Sequence, residues 1–110
     1  MLSTFAIVAE PSRRRIMDML LRGDASVSQL VEALDMSQPL VSKHLRALRE
    51  TGLVRVRIVA QQRIYSLEPG PLAEIDMWLS AYRSKWNRHV DAMDEYLKKK
   101  KQLRKEEEES

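Results

Sequence analysis

The sequence predicts a mainly α-helical domain that carries one small β-hairpin and ends in a long helix. Apolar residues recur at helical spacing along most of the chain, and the pattern changes to alternation only between Val54 and Leu67. Proline, glycine and serine mark the boundaries between these stretches. A chain of 110 residues has room for one core and not two.

Leu2, Phe5 and Val8 are spaced for a short first helix ending near Glu10. Pro11 suits the first turn of a second helix, about Pro11 to Leu21, with Ile16, Met19 and Leu20 turned inward and Gly23 past its end. Ser26-Val27-Ser28-Gln29 fits a capping box, in which the serine hydroxyl takes one free amide and the glutamine reaches back to another. Leu30, Val31 and Leu34 give this third helix its inner face, and Asp35-Met36 ends it. Ser37 caps a fourth helix, Pro39 is tolerated in its first turn, Val41, Leu45 and Leu48 form its apolar face, and Gly52 closes it. Two short capped helices separated by so brief a turn make a helix-turn-helix.

Beyond Gly52, Val54, Val56 and Ile58 alternate with Arg55 and Arg57, and alternation resumes through Ile64, Tyr65 and Leu67. This is a β-hairpin, or wing. Its turn, Val59-Ala60-Gln61-Gln62, lacks the Asn-Gly or Asp-Gly pair of tight hairpins, so a longer or more mobile tip is expected. After Pro69-Gly70-Pro71 a last helix opens at about Pro71, with Leu72, Ile75, Leu79, Tyr82, Trp86, Val90, Met93 and Leu97 as one apolar stripe. A small domain has no need of so long a buried stripe, and pairing with the same helix of a second copy explains it. The expected architecture is a dimeric winged helix-turn-helix over residues 1–97: four helices, two strands, then the long helix. Residues 98–110 carry a lysine block followed by a glutamate block, and are expected to form a disordered, charged tail.

Composition narrows the function. The chain is 44% hydrophobic and 32% charged, has no apolar run of the roughly 18 residues a bilayer demands, and does not open with a secretory signal pattern, so a cytoplasmic location and no membrane partner are expected. Without cysteine there is no disulfide, thiolate metal site or thiol nucleophile. The net charge of +3 conceals an asymmetry. Between Ser37 and Arg63 stand Lys43, Arg46, Arg49, Arg55, Arg57 and Arg63 against the single anion Glu50, which favours a polyanionic partner such as double-stranded DNA.

On the fourth helix, residue steps of about 100° put Pro39, Ser42, Lys43, Arg46 and Glu50 opposite the apolar face. A helix fits the major groove, where arginine pairs with the two acceptors of guanine and serine or lysine reaches base edges or phosphate. The expected DNA contacts are Ser37, Gln38, Ser42, Lys43, His44, Arg46 and Arg49 from this helix, and Arg55, Arg57, Gln61, Gln62 and Arg63 from the wing. The three wing arginines are expected to share the face turned away from the core. The expected dimer contacts are Leu2, Phe5, Leu79, Tyr82, Trp86, Val90 and Met93. An aromatic stripe such as Trp78, Tyr82 and Trp86 can also line a ligand pocket, but at helical spacing it suits a dimer core better.

Four stretches carry a family resemblance: Ala9-Glu10-Pro11-Ser12-Arg13-Arg14-Arg15-Ile16, Met36-Ser37-Gln38-Pro39-Leu40-Val41-Ser42-Lys43-His44-Leu45, Leu48-Arg49-Glu50-Thr51-Gly52-Leu53-Val54 and Arg63-Ile64-Tyr65-Ser66-Leu67. Together, in this order, they resemble the ArsR-type winged-helix repressors from about Phe5 to Leu97. The last helix is similar to a subgroup without metal-sensing sites. The resemblance implies a homodimer built on the first and last helices, an operator read by the fourth helix, and repression. Glu10 stands where the family usually has an aspartate cap, and Gln62 where its wing turn has glycine.

Founding members of that family sense metals, and the resemblance places their thiolate motif at Ser26-Val27-Ser28, where serine is a poor ligand for soft metals. Their last-helix ligands would fall at Pro69, Pro71, Tyr82 and Lys85, which do not suit Zn²⁺. Asp76 and His89 mimic half such a pattern out of register. No metal and no cofactor are therefore expected, and any small-molecule effector is unknown. Neither His44 nor His89 has an acid or nucleophile beside it in an arrangement that suggests an enzyme. The competing reading is a winged-helix module whose basic face meets an acidic protein.

Overall fold

The computed structural model describes residues 3–109, so Leu2, expected in the first helix and the dimer interface, lies outside the described residues. The elements run α1 (Thr4–Ala9), α2 (Pro11–Arg22), β1 (Ala25–Ser26), α3 (Val27–Leu34), α4 (Gln38–Glu50), β2 (Val54–Val59), β3 (Gln62–Leu67), a 3₁₀ turn (Gly70–Leu72) and α5 (Ala73–Glu109).

Local chemistry sets most of these boundaries. The Glu10 carboxylate caps α2 by accepting from the Arg13 N–H at 2.9 Å, with Pro11 in the first turn. The capping box at Ser26 is complete: its hydroxyl accepts from the Gln29 N–H at 3.2 Å, and its own N–H donates to Gln29 Oε1 at 2.8 Å. Asp35 leaves α3 in the left-handed conformation, φ 52°, and Ser37 caps α4 through the Leu40 N–H at 3.3 Å. Gly52, at φ 78°, donates to Arg49 O while Leu53 donates to Leu48 O, the paired closure that a glycine past a helix end permits.

The core gathers Ile7, Ile16, Leu20, Leu30, Leu34, Val41, Leu45, Leu48, Leu53, Val54 and Tyr65, so every helix from α1 to α4 and both hairpin strands contribute. The arginine run Arg13-Arg14-Arg15 serves this packing. Arg13 donates to Ile7 O and Ala6 O, Arg14 to Val8 O and Ala9 O, and Arg15 to Leu34 O, which satisfies carbonyls at the ends of α1 and α3.

The sheet departs from a simple hairpin. It has three antiparallel strands in the order β1-β3-β2, because Ala25 pairs with Tyr65 and Ser26 with Ile64. The wing tip is also shorter than expected. Val59 pairs with Gln62, leaving a two-residue turn at Ala60 and Gln61 with φ of 49° and 67°. Both central residues adopt the left-handed conformation that matches the twist of the strands, although neither is asparagine or glycine.

The chain divides after Ile75 into two units. In the second, α5 continues past Leu97 through the charged blocks to Glu109, where the sequence suggested an end and a disordered tail. That stretch holds no proline or glycine and consists mostly of strong helix formers, and Gln102 donates to Glu106 one turn on at 3.5 Å. No residue of α5 is buried.

Candidate nucleic-acid interface

Helix α4 has two chemically distinct faces. Val41, His44, Leu45 and Leu48 are buried, while Gln38, Ser42, Lys43, Arg46, Arg49 and Glu50 are exposed, as is the capping Ser37. His44, expected at the DNA, belongs to the inner face and is only 7% exposed. Its Nε2 lies 3.7 Å from Glu10 Oε2, and its Nδ1 has no hydrogen-bond partner. Burial pushes the His44 pKa below its ordinary value, outweighing the attraction of Glu10, with Arg13 and Lys43 adding to the fall. For Glu10, burial acts upward, but the N–H groups of Arg13 and Ser12 and the charges of His44 and Arg13 hold its carboxyl below the usual range. A neutral, buried imidazole cannot reach a groove.

Hairpin register decides which wing residues join the outer face of α4. Val54 pairs with Leu67, Val56 with Tyr65 and Ile58 with Arg63, so Arg63 lies on the same face as the core residues Val54 and Tyr65. Arg55 and Arg57 point the other way. Arg63 meets Gln38, Ser42, Arg46 and Arg49 around a hollow of about 280 Å³ floored by Val27, Leu45 and Tyr65. Three guanidiniums, a hydroxyl and a carboxamide thus converge in one concavity. No ion pair among the described residues engages Arg46, Arg49 or Arg63, so their donors are available to an external acceptor.

The other wing face is neutralised from within. Arg55 Nε lies 3.3 Å from Glu68 Oε1, and Arg57 donates to Asp24 Oδ2 at 2.7 Å and to Ser66 Oγ at 3.0 Å. Hydrogen bonds from Arg57 and then Ser66 hold the Asp24 carboxyl below the ordinary aspartate range. The expectation that all three wing arginines share the outward face is corrected: a two-residue turn gives paired residues opposite parity, which puts Arg63 opposite Ile58 and not beside Arg57. Gln61 and Gln62 are exposed at the tip. Sequence reasoning found the charges but missed the hollow's apolar floor and the acid partners, which come from elements distant in the chain.

Along α5, Tyr82, Trp86 and Met93 are more than half exposed, Val90 is exposed at 38%, and Leu79 is half-buried. Phe5, on α1, is also half-buried. Among the described residues no group of three His, Asp or Glu side chains gathers as a metal site, and no helix is long and apolar enough to cross a membrane.

Residues 10–56 match the profile of bacterial regulatory proteins of the arsR family. The chain is 35% identical over 94 residues to the arsenic resistance transcriptional regulator ArsR1 of Pseudomonas putida, covering 84% of this chain and 68% of that one. The chain belongs to the ArsR family. A second relative, the transcriptional repressor SdpR of Bacillus subtilis, is 28% identical over 83 residues, 76% of the ArsR-family chain and 92% of the repressor. An ArsR-like transcriptional regulator from Rhodococcus sp. RHA1 superposes with a TM-score of 0.64 at 30% identity, covering 81% of this chain and 84% of its own. A possible transcriptional regulator for arsenical resistance gives a TM-score of 0.67 at 34% identity, covering 74% and 85%. The ArsR-family chain is a winged helix-turn-helix transcriptional regulator that binds DNA, and the matched segment contains all of α3 and α4.

Proposed function

We propose that this ArsR-family regulator is a cytoplasmic repressor that acts as a homodimer on promoter DNA and responds to no metal. The convergence of Arg46, Arg49 and Arg63 with Gln38 and Ser42 carries the DNA-reading part of this proposal. α4 enters the major groove with Ser37, Gln38 and Ser42 near its leading end, Lys43, Arg46 and Arg49 reach base edges or phosphates, and Gln61 and Gln62 touch the flank from the wing tip. The apolar stripe of α5, with Leu79, Tyr82, Trp86, Val90 and Met93, and Phe5 of α1 form the dimer contact. A hollow against Ala81, Tyr82, Lys85, Trp86 and His89 is walled by this one helix, which suits a facing helix better than an enclosed small molecule.

The test is selection of duplexes from a random pool by the purified protein. Two half-sites about one helical turn apart, or a multiple of that, are expected from a dimer whose α4 helices meet one side of the duplex. Recovery of no enriched sequence, together with capture of an acidic protein by the same surface, would replace the DNA reading with the protein-interaction one. Indifference to metals is checked by adding Zn²⁺, Cd²⁺ or Ni²⁺ to the complex. Release at one metal per subunit, reversed by a chelator, contradicts it.

A further inference from the structure

Resting on the assignment of α4 to the DNA, we infer that the wing is sorted by face: Arg63 contacts the nucleic acid, and Arg57 is a positioning residue that braces the hairpin to Asp24. Asp24 immediately precedes β1, whose Ser26 caps α3, so the Arg57–Asp24–Ser66 cluster joins the wing to the start of the helix-turn-helix. Beyond Arg57 the strand leaves the core, and Ile58 is 75% exposed. Without the brace, the tip would be carried by backbone pairing alone, and Arg63 would have to be ordered against α4 each time DNA binds.

The charge pattern supports the same division. Arg57 and Arg55 are each matched by an acid, so their face offers no net excess of cations, whereas Arg63 and its α4 neighbours have none. Counterion release is set by the phosphates that cations neutralise, and a guanidinium already committed to a carboxylate and a hydroxyl contributes little to it. An exposed ion pair of this kind has a modest effect, so the brace acts by restricting the wing's positions and not by large stabilisation.

The experiment titrates selected operator and scrambled duplex against Arg63→Ala, Arg57→Ala, Asp24→Ala and the charge-swapped pair Asp24→Arg with Arg57→Asp, at several salt concentrations. Arg63→Ala is expected to lower the slope of log affinity against log salt by about 0.9 for each phosphate left without its cation. Arg57→Ala and Asp24→Ala are expected to weaken operator binding alike, by about two- to fivefold per subunit, with the slope unchanged, and the swapped pair to restore it. If Arg57→Ala flattens the slope as Arg63→Ala does, Asp24→Ala leaves binding intact and the swap fails to rescue, Arg57 is a DNA contact and the inference is overturned. If Arg63→Ala also leaves affinity and slope at wild-type values, the DNA assignment on which the inference rests falls with it.

Discussion

His44 shows how little a residue's neighbours in sequence reveal about its role. It stands between Lys43 and Leu45 on a helix whose next exposed positions are those proposed to face DNA, yet it points inward at Glu10 from the α1–α2 junction. The consequence is a pH dependence of stability. The unfolded chain takes up this proton at its ordinary pKa of 6.5, and the folded chain only at lower pH, because burial disfavours the imidazolium. Folding stability is therefore complete above the unfolded value and falls as pH drops through 6.5 toward the folded pKa. Glu10, whose folded pKa is also depressed, adds a further loss below about 4.5. Urea midpoints measured from neutral to acid pH should decline in the wild type, and His44→Gln should remove the upper part of that decline while reducing, not abolishing, the part due to Glu10, whose backbone hydrogen bonds remain. A flat wild-type profile through pH 6.5 would contradict the burial argument. Arg46 makes the complementary case, since it is exposed and lines the hollow. If it reads guanine, Arg46→Ala costs about 1 to 3 kcal/mol on the operator and relaxes preference at one position per half-site.

At the scale of elements, the helices were legible because their signals are local. Ser26, Gln29, Ser37 and Gly52 act on amides or carbonyls within four residues of themselves, Pro11 and Pro39 occupy first turns where no amide donor is needed, and the structure uses each where the spacing placed it. β1 was not legible, because two residues have no periodicity and Ala25–Ser26 is a strand only through its partner β3. The same limit hid Asp24 and Glu68 as partners of Arg57 and Arg55, and the hollow formed with Arg63. Each depends on register across a turn, and a shift of one residue exchanges the two faces. The turn itself is disguised because Ala60 and Gln61 occupy positions that favour asparagine and glycine. Holding residues with a Cβ in the left-handed region costs roughly 1 to 2 kcal/mol each. Replacing Ala60-Gln61 by Asn-Gly should therefore raise the thermal midpoint without altering strand register. An unchanged or lower midpoint would mean that the tip is not a two-residue turn.

At the scale of the whole molecule, α5 exposes a stripe of aromatic and aliphatic residues along a helix in which nothing is buried. A stripe of that extent fits the proposed dimer interface. Placing glutamate at Leu79 and Trp86 puts unpaired charges into it at a cost of several kcal/mol, so sedimentation should find a wild-type dimer and a monomeric variant at micromolar concentration. The final turns of α5 are opposed by their own sequence, since Glu106 to Glu109 crowd negative charge at the negative end of the helix dipole.

One face, formed by α4 and the Arg63 side of the wing, is proposed to read DNA. The most direct measurement is the affinity of an Arg46→Ala, Arg49→Ala, Arg63→Ala triple variant for the selected operator, beside the wild type, after circular dichroism has established that both are folded. The variant is expected to lose its preference for operator over scrambled duplex and to show a shallower salt dependence. Wild-type affinity and preference in the folded triple variant would contradict the proposal.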